Sequence, residues 1–224
     1  MIHALLWDLD GVIVKTTDLH FWSWVTSLSR HGRELDYAQF MTTFGMNNRA
    51  TLAKLYGPLS ENEITSITEL KEILFRQEIP GRVQVYPGVL DWLAQAKQAG
   101  IPCAVASSAP PENIQALIGQ FHLESFFQAF VSSNGLPSKP DPAVFLRAAG
   151  ELGVLPADCL VVEDAPAGGN AARTAGMHCV IVLTTRTQPE FPKVDLFLNH
   201  LSDLPLQDVL NKINQADDKS LVDG

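Results

Sequence analysis

The sequence predicts an α/β protein: a parallel-sheet core with an all-helical insert after its first strand. Three observations carry this. An apolar run that begins near residue 2 stops at Asp8-Leu9-Asp10-Gly11, as a buried strand ending in a sharp turn would. Residues 16–82 show helical spacing and hardly a strand signal. From Tyr86-Pro87-Gly88 onward, short apolar runs alternate with amphipathic helices, the rhythm of right-handed βαβ units on a parallel sheet.

The elements follow in order. His20, Phe21, Trp24, Val25 and Leu28 recur at helical spacing over 18–30, with Gly32 as a stop. Short helices are expected over 36–44 and 48–56, separated by Gly45-Met46-Asn47. Ser60 with Glu63 forms a capping box that opens a helix to 79. Helices then fall at 89–99, 111–121, 142–152 and 167–175, and strands at 102–106, 129–131, 160–162 and 178–183. A short strand at 196–197 and a helix over 204–213 close the fold. The expected organisation is a core of residues 1–15 and 83–215, a helical cap of 16–82, and a flexible polar tail of 216–224.

Composition narrows the function. With 224 residues, 46% of them hydrophobic and 18% charged, the chain can build a sizeable core. A net charge of −9 without a basic cluster argues against nucleic acid or a membrane surface as partner. No apolar stretch nears the roughly 20 residues that span a bilayer, and no secretory signal is expected because Asp8 interrupts the N-terminus. Cys103, Cys159 and Cys179 are scattered and fit buried thiols in a reducing cytoplasm. A cytoplasmic protein is expected, with a monomer as the default state.

Four strand ends carry reactive residue types: Asp8 and Asp10, Ser107 and Ser108, Lys139-Pro140, and Glu163-Asp164. A parallel sheet gathers its carboxyl ends on one edge, so these groups converge despite their distance in sequence. Carboxylates at that density need a cation, and all-oxygen ligands suit Mg²⁺ together with substrate phosphate. A carboxylate can also act as nucleophile and form an aspartyl-phosphate. Taken singly, each motif has a plainer reading: a strand followed by an Asp-Gly turn, a helix N-cap at Ser107, a solvated loop lysine, and Glu163-Asp164 capping the next helix.

Together, and in this order, the motifs resemble those of the haloacid dehalogenase superfamily over roughly residues 3–184, with the helical insert in the family's usual place. The resemblance implies a Rossmann-like three-layer core. It makes Asp8 the nucleophile and a metal ligand, and Asp10 the general acid/base, whose backbone carbonyl also meets the metal. It makes Ser107 and Lys139 the holders of the transferring phosphoryl group, Asp164 a Mg²⁺ ligand, and Glu163 a ligand or a group behind the ligands. The dehalogenase branch is disfavoured, because it lacks the second Asp and needs no metal.

The cap is similar to that of the β-phosphoglucomutase-like subgroup. By that resemblance Thr16, His20, Trp24, Gly45, Arg49 and Ser108 line the substrate site, and Arg49 binds a distal phosphate. Phe21 and Trp24 fit cap core equally well, and His20 and Arg49 fit ordinary helix positions. Two departures count against a mutase. Ala109-Pro110-Pro111 stands where β-phosphoglucomutase has a Ser-Lys-Asn stretch, and Lys15 stands where the subgroup usually has Asp. The expected function is therefore a Mg²⁺-dependent phosphatase of a small phosphorylated metabolite, a sugar phosphate in the first instance. A sugar phosphomutase is the alternative, with a pyrophosphatase or a non-catalytic phosphometabolite-binding module behind it.

Overall fold

Residues 4–7 are apolar without interruption because the strand they form, β1 (Ala4–Trp7), is covered on both faces. Leu5 and Trp7 enter one hydrophobic cluster, while Ala4 and Leu6 enter another. The alternation along a strand thus places a core on each side of the sheet. The computed structural model describes residues 1–222.

The other strands are β2 (Cys103–Ser107), β3 (Ala129–Ser132), β4 (Cys159–Glu163), β5 (His178–Val182) and β6 (Leu196–Leu198). They form a six-stranded parallel sheet in the order β3-β2-β1-β4-β5-β6. Every strand therefore ends on the same edge, with β1 between β2 and β4. This is a Rossmann-like α/β sheet flanked by helices.

Four helices form the insert that follows β1: α1 (Thr17–Arg30), α2 (Tyr37–Thr43), α3 (Asn48–Tyr56) and α4 (Glu61–Glu78). Their own cluster contains Trp24, Leu28, Phe40, Phe44, Leu52 and Ile67. Ser60 accepts from the Glu63 amide and Glu63 reaches back to Ser60, the capping box expected for α4. Asp36 and Gln39 do the same for α2. The outgoing and returning chains pair where they cross. Lys15 N donates to Gln84 O at 2.8 Å and Tyr86 N to Ile13 O at 3.0 Å, a two-bond ladder at the neck of the insert.

The remaining helices are α5 (Val89–Gln98), α6 (Pro111–Gln120), α7 (Ala143–Leu152), α8 (Pro166–Thr174) and α9 (Leu206–Val222). Helix α9 corrects an expectation. It was expected over 204–213, but it starts at Leu206 and runs to Val222. Leu206, Val209, Leu210 and Ile213 are its buried stripe. Beyond Ile213 no Gly or Pro follows until Gly224, so nothing stops propagation along the backbone. Residues 223–224 of the expected tail lie outside the described residues. Cys103, Cys159 and Cys179 are buried and unpaired, and burial holds their thiols protonated. Among the described residues no helix is long and apolar enough to cross a membrane.

Candidate active site

Asp8 follows directly on β1, and its amide extends the ladder by donating to Val162 O at 3.0 Å. The chain then curls: Ile13 N and Val14 N both donate to Leu9 O, and Gly11 turns at φ +91°. That turn aims Asp8 and Asp10 toward the ends of β2 and β4. A Cβ on Gly11 would lie 2.1 Å from Asp164 Oδ2, so only glycine lets the two loops approach this closely.

Lys139 stands at the centre of the acidic cluster and is 1% exposed. Its ammonium donates to Asp8 Oδ1 at 2.6 Å, Glu163 Oε1 at 2.7 Å and Ala106 O at 3.2 Å. Burial opposes that charge, but Asp8 and Glu163 outweigh it and hold Lys139 above the ordinary lysine range. Glu163 Oε2 accepts from the amides of Asp164 and Ala165, at 2.7 and 2.8 Å. Both Glu163 oxygens are thus engaged, one by Lys139 and the other by the loop after β4. A Cβ on Gly168 would fall 1.8 Å from Glu163 Oε1, so the start of α8 leaves room for this carboxylate by being glycine.

Asp8, Glu163 and Asp164 each offer an oxygen within 4.8 Å of the others, all buried. Three carboxylates face one ammonium there. Burial, then the Glu163 and Asp10 charges, push Asp8 up to about 8 against the pull of Lys139. Burial with the Glu163 and Asp8 charges pushes Asp164 well above the usual carboxylate range. Excess negative charge on buried oxygens is the environment a hard divalent cation neutralises, so the donor set fits such an ion. Thr185 donates to Asp164 Oδ2 at 2.5 Å and fixes that carboxylate's orientation.

Asp10 is treated differently. Thr16 Oγ1 donates to its Oδ1 at 2.6 Å and His20 Nε2 at 2.9 Å, so both donors take one oxygen of a residue that lines the cleft. Burial raises its pKa, but His20, Thr16 and Lys71 together hold it below the ordinary aspartate value. His20 is placed by stacking on Phe75, with ring centroids 4.1 Å apart, and its Nδ1 accepts from Lys71 Nζ at 3.1 Å. With Nδ1 as acceptor, Nε2 carries the proton given to Asp10. Asp8 and Asp10, two residues apart, are therefore pushed in opposite directions by their surroundings.

The remaining expected residues divide. Ser107 is 1% exposed and lines the cleft, and its Oγ accepts from Ala109 N at 3.0 Å. Trp24 packs in the cap cluster and also lines the cleft, as does Gly45. Ser108 lines the cleft, and its hydroxyl donates to Gly45 O at 2.7 Å, fastening the cap to the core. Arg49 lies on the exposed side of α3, lines the groove beside the cleft and forms a bidentate pair with Glu61. Lys15 rests over the Tyr86 ring, outside the cleft.

Sequence reasoning missed Lys71, Glu72, Asn48 and Asn113. Lys71 is 2% exposed, beside the Trp24 and Phe75 rings. It sits between Ile67 and Phe75 on the buried stripe of α4, four residues from each. A lysine in the middle of such a stripe is the signal that could have found it. Further cap-to-core contacts run from Ser138 to Asn47 N and from Arg186 to the Met41 carbonyl.

The sheet edge thus brings a lysine-bridged carboxylate cluster against a second aspartate held from the cap. Residues 2–176 match the haloacid dehalogenase-like hydrolase family, and the chain belongs to it. It is 31% identical over 215 residues to β-phosphoglucomutase of Bacillus subtilis (91% of this chain, 92% of that protein). It is 26% identical over 219 residues to hexitol phosphatase B of Escherichia coli (93% and 97%). Among solved structures, β-phosphoglucomutase from Clostridium difficile superposes with a TM-score of 0.85 at 25% identity, covering 96% of this chain and 99% of that one. A longer relative, the chloroplastic SUPPRESSOR OF QUENCHING 1 of Arabidopsis thaliana, is 32% identical over 196 residues; that match spans 84% of this chain and 18% of that protein.

Proposed function

We propose that the chain is a Mg²⁺-dependent phosphatase that hydrolyses a small phosphorylated metabolite, a sugar phosphate, through an aspartyl-phosphate on Asp8. The observation that carries this is the Asp8–Lys139 contact facing an Asp10 whose Oδ1 is anchored by Thr16 and His20. The hexitol phosphatase and β-phosphoglucomutase relatives support a phosphorylated sugar or polyol as the substrate class.

An Asp8 carboxylate oxygen attacks phosphorus and the bond to the leaving oxygen breaks, while Asp10 delivers a proton to that oxygen. The dianionic phosphoryl group beside Asp10 raises its pKa, so that it enters this step protonated. Asp10, now a carboxylate, takes a proton from the water that attacks the aspartyl-phosphate, releasing phosphate and free Asp8. Lys139 balances the charge of Asp8 and of the transferring group, and Ser107 donates to a phosphoryl oxygen. Asp8, Asp164 and the main-chain carbonyl of Asp10 would hold Mg²⁺, which supplies further charge neutralisation when bound. The cap, fastened by Ser108, Asn47 and Arg186, excludes bulk water.

The test is a phosphate-ester panel with Mg²⁺ on wild type and Asp8→Asn. The expected result is phosphate release by wild type and a loss of at least ~10³-fold in the variant. Full metal-dependent activity in Asp8→Asn would overturn the mechanism. Glucose 6-phosphate, rather than free phosphate, as the main product from β-glucose 1-phosphate would replace the phosphatase with a phosphomutase.

A further inference from the structure

Lys71 is the cation that the cap places in the cleft, and Glu72 stands next to it. Glu72 is 6% exposed and saturated with donors: Lys71 Nζ at 2.8 Å and Asn48 Nδ2 at 2.7 Å on Oε1, and Asn113 Nδ2 at 2.5 Å on Oε2. Burial opposes its charge, but Lys71 and the hydrogen bonds it receives from Lys71 and Asn48 outweigh that and keep it ionised. Asn113 is itself clamped, since its Oδ1 accepts from Arg76 at 2.9 Å. The Lys71–Glu72 pair is thus locked between two cap helices and α6 of the core.

The charge balance away from the catalytic aspartates follows. Inside the cleft, Lys71 is cancelled by Glu72, and the nearby core residues Ala109 and Pro110 carry no charge. In the groove just outside, Arg49 and Arg76 face Glu69, Glu72 and Glu112, and Arg49 is already paired with Glu61. Inside the cleft, a second phosphate on the substrate would meet a Lys71 already paired with Glu72 and that one buried carboxylate. Hydroxyl groups would meet the third N–H of Lys71, the Asn48 amide and the Thr51 hydroxyl, a set that both donates and accepts.

We infer that Glu72 is a specificity-determining residue: by cancelling Lys71 it makes the cleft select the hydroxyl-bearing end of a phosphate monoester over a substrate with a second phosphate. This rests on the phosphatase reading above. Discrimination of this kind works through an unfavourable element built against the wrong substrate as well as contacts to the right one.

The experiment measures kcat/KM with Mg²⁺ for glucose 6-phosphate, glucose 1,6-bisphosphate and p-nitrophenyl phosphate, in wild type, Glu72→Gln and Lys71→Gln. Wild type is expected to prefer the monophosphate over the bisphosphate by tenfold or more. Glu72→Gln narrows that ratio at least fivefold, and Lys71→Gln widens it, while p-nitrophenyl phosphate, with no distal charge, follows the monophosphate. A role for Glu72 in packing alone would lower all three substrates together and leave the ratio unchanged, which overturns the inference, as does a wild-type preference for the bisphosphate. If Glu72→Gln does not fold, the Lys71→Gln ratio decides: widening supports the inference and an unchanged ratio overturns it. Hydrolysis of none of the three esters by wild type fails the phosphatase reading itself and takes this inference with it.

Discussion

His20 Nε2 donates to Asp10 Oδ1 across 2.9 Å, and this bond ties the inserted helices to the loop after β1. On its other side His20 accepts from Lys71, so Asp10, the first helix of the cap and the fourth share one chain of hydrogen bonds. The position and charge of the proposed acid/base therefore depend on how the cap is seated, and opening the cap would release both.

Replacing His20 with Ala removes one of two donors to Asp10 Oδ1 and part of what holds its pKa down. Turnover is expected to fall about 100-fold, within the range of general acid–base effects, with KM little changed. The acid limb of the kcat–pH profile shifts to higher pH. A profile that keeps its acid limb while kcat falls would show that His20 does not tune Asp10.

Removal of Lys139 leaves three buried carboxylates without their ammonium. Lys139→Met is expected to abolish turnover and to lower stability by about 3–5 kcal/mol, the usual cost of breaking a buried pair from one side. Urea unfolding measures the stability change. Added Mg²⁺ should recover part of it, without recovering activity.

Asp8 gives a pH dependence whose sign is fixed by the direction of its shift. Its carboxyl rises from 3.8 in the unfolded chain to about 8 in the metal-free fold. Between those values the folded protein binds a proton that the unfolded chain has lost, so stability falls as pH rises through the window. A bound cation favours the charged form and offsets that loss. At 100-fold excess over Kd, Mg²⁺ adds about 2.7 kcal/mol, or roughly 5–10 °C in Tm for a chain of this size. The Tm gain is expected to be larger at pH 8 than at pH 5.5, and thermal melts at both values check it.

Gly11→Ala places a methyl group on Asp164 and strains a positive-φ position. The expected outcome is a loss of at least ~10²-fold in kcat/KM, as for a small misplacement of a reacting group, together with loss of the Mg²⁺-induced rise in Tm. A variant with normal Mg²⁺ stabilisation would show that Asp164 can move aside without harm.

Arg49 is spent on Glu61 at the surface of the cap. Arg49→Ala is expected to change kcat/KM for sugar monophosphates by less than threefold. A tenfold loss in steady-state kinetics would mean that the side chain swings into the cleft during turnover.

Much of the site was legible because a parallel sheet turns sequence order into spatial order. Asp8, Ser107 and Glu163-Asp164 all lie at or just past strand ends, and adjacent parallel strands must end on one edge. Lys139 belongs with them only through the loop after β3, yet it reaches Asp8 across 131 positions of sequence. The cap was less legible. Asn48 and Arg49 are neighbours on α3, about 100° apart around the helix. That rotation sends Asn48 to Glu72 and Arg49 to Glu61. Likewise nothing local marks Asn113 as the partner of Glu72 and Arg76, because that contact exists only once α4 lies against α6.

By itself the sequence determined which elements form and which chemical groups collect at the sheet edge, because apolar periodicity, capping boxes and strand-end residues act over a few positions. Only the tertiary structure decided which oxygen of each carboxylate is taken, how Asp8 and Asp10 are driven apart in pKa, and that Lys71 with Glu72 lines the cleft while Arg49 pairs with Glu61. Those outcomes depend on burial and on distances between groups far apart in the chain, and docking the cap on the core sets both.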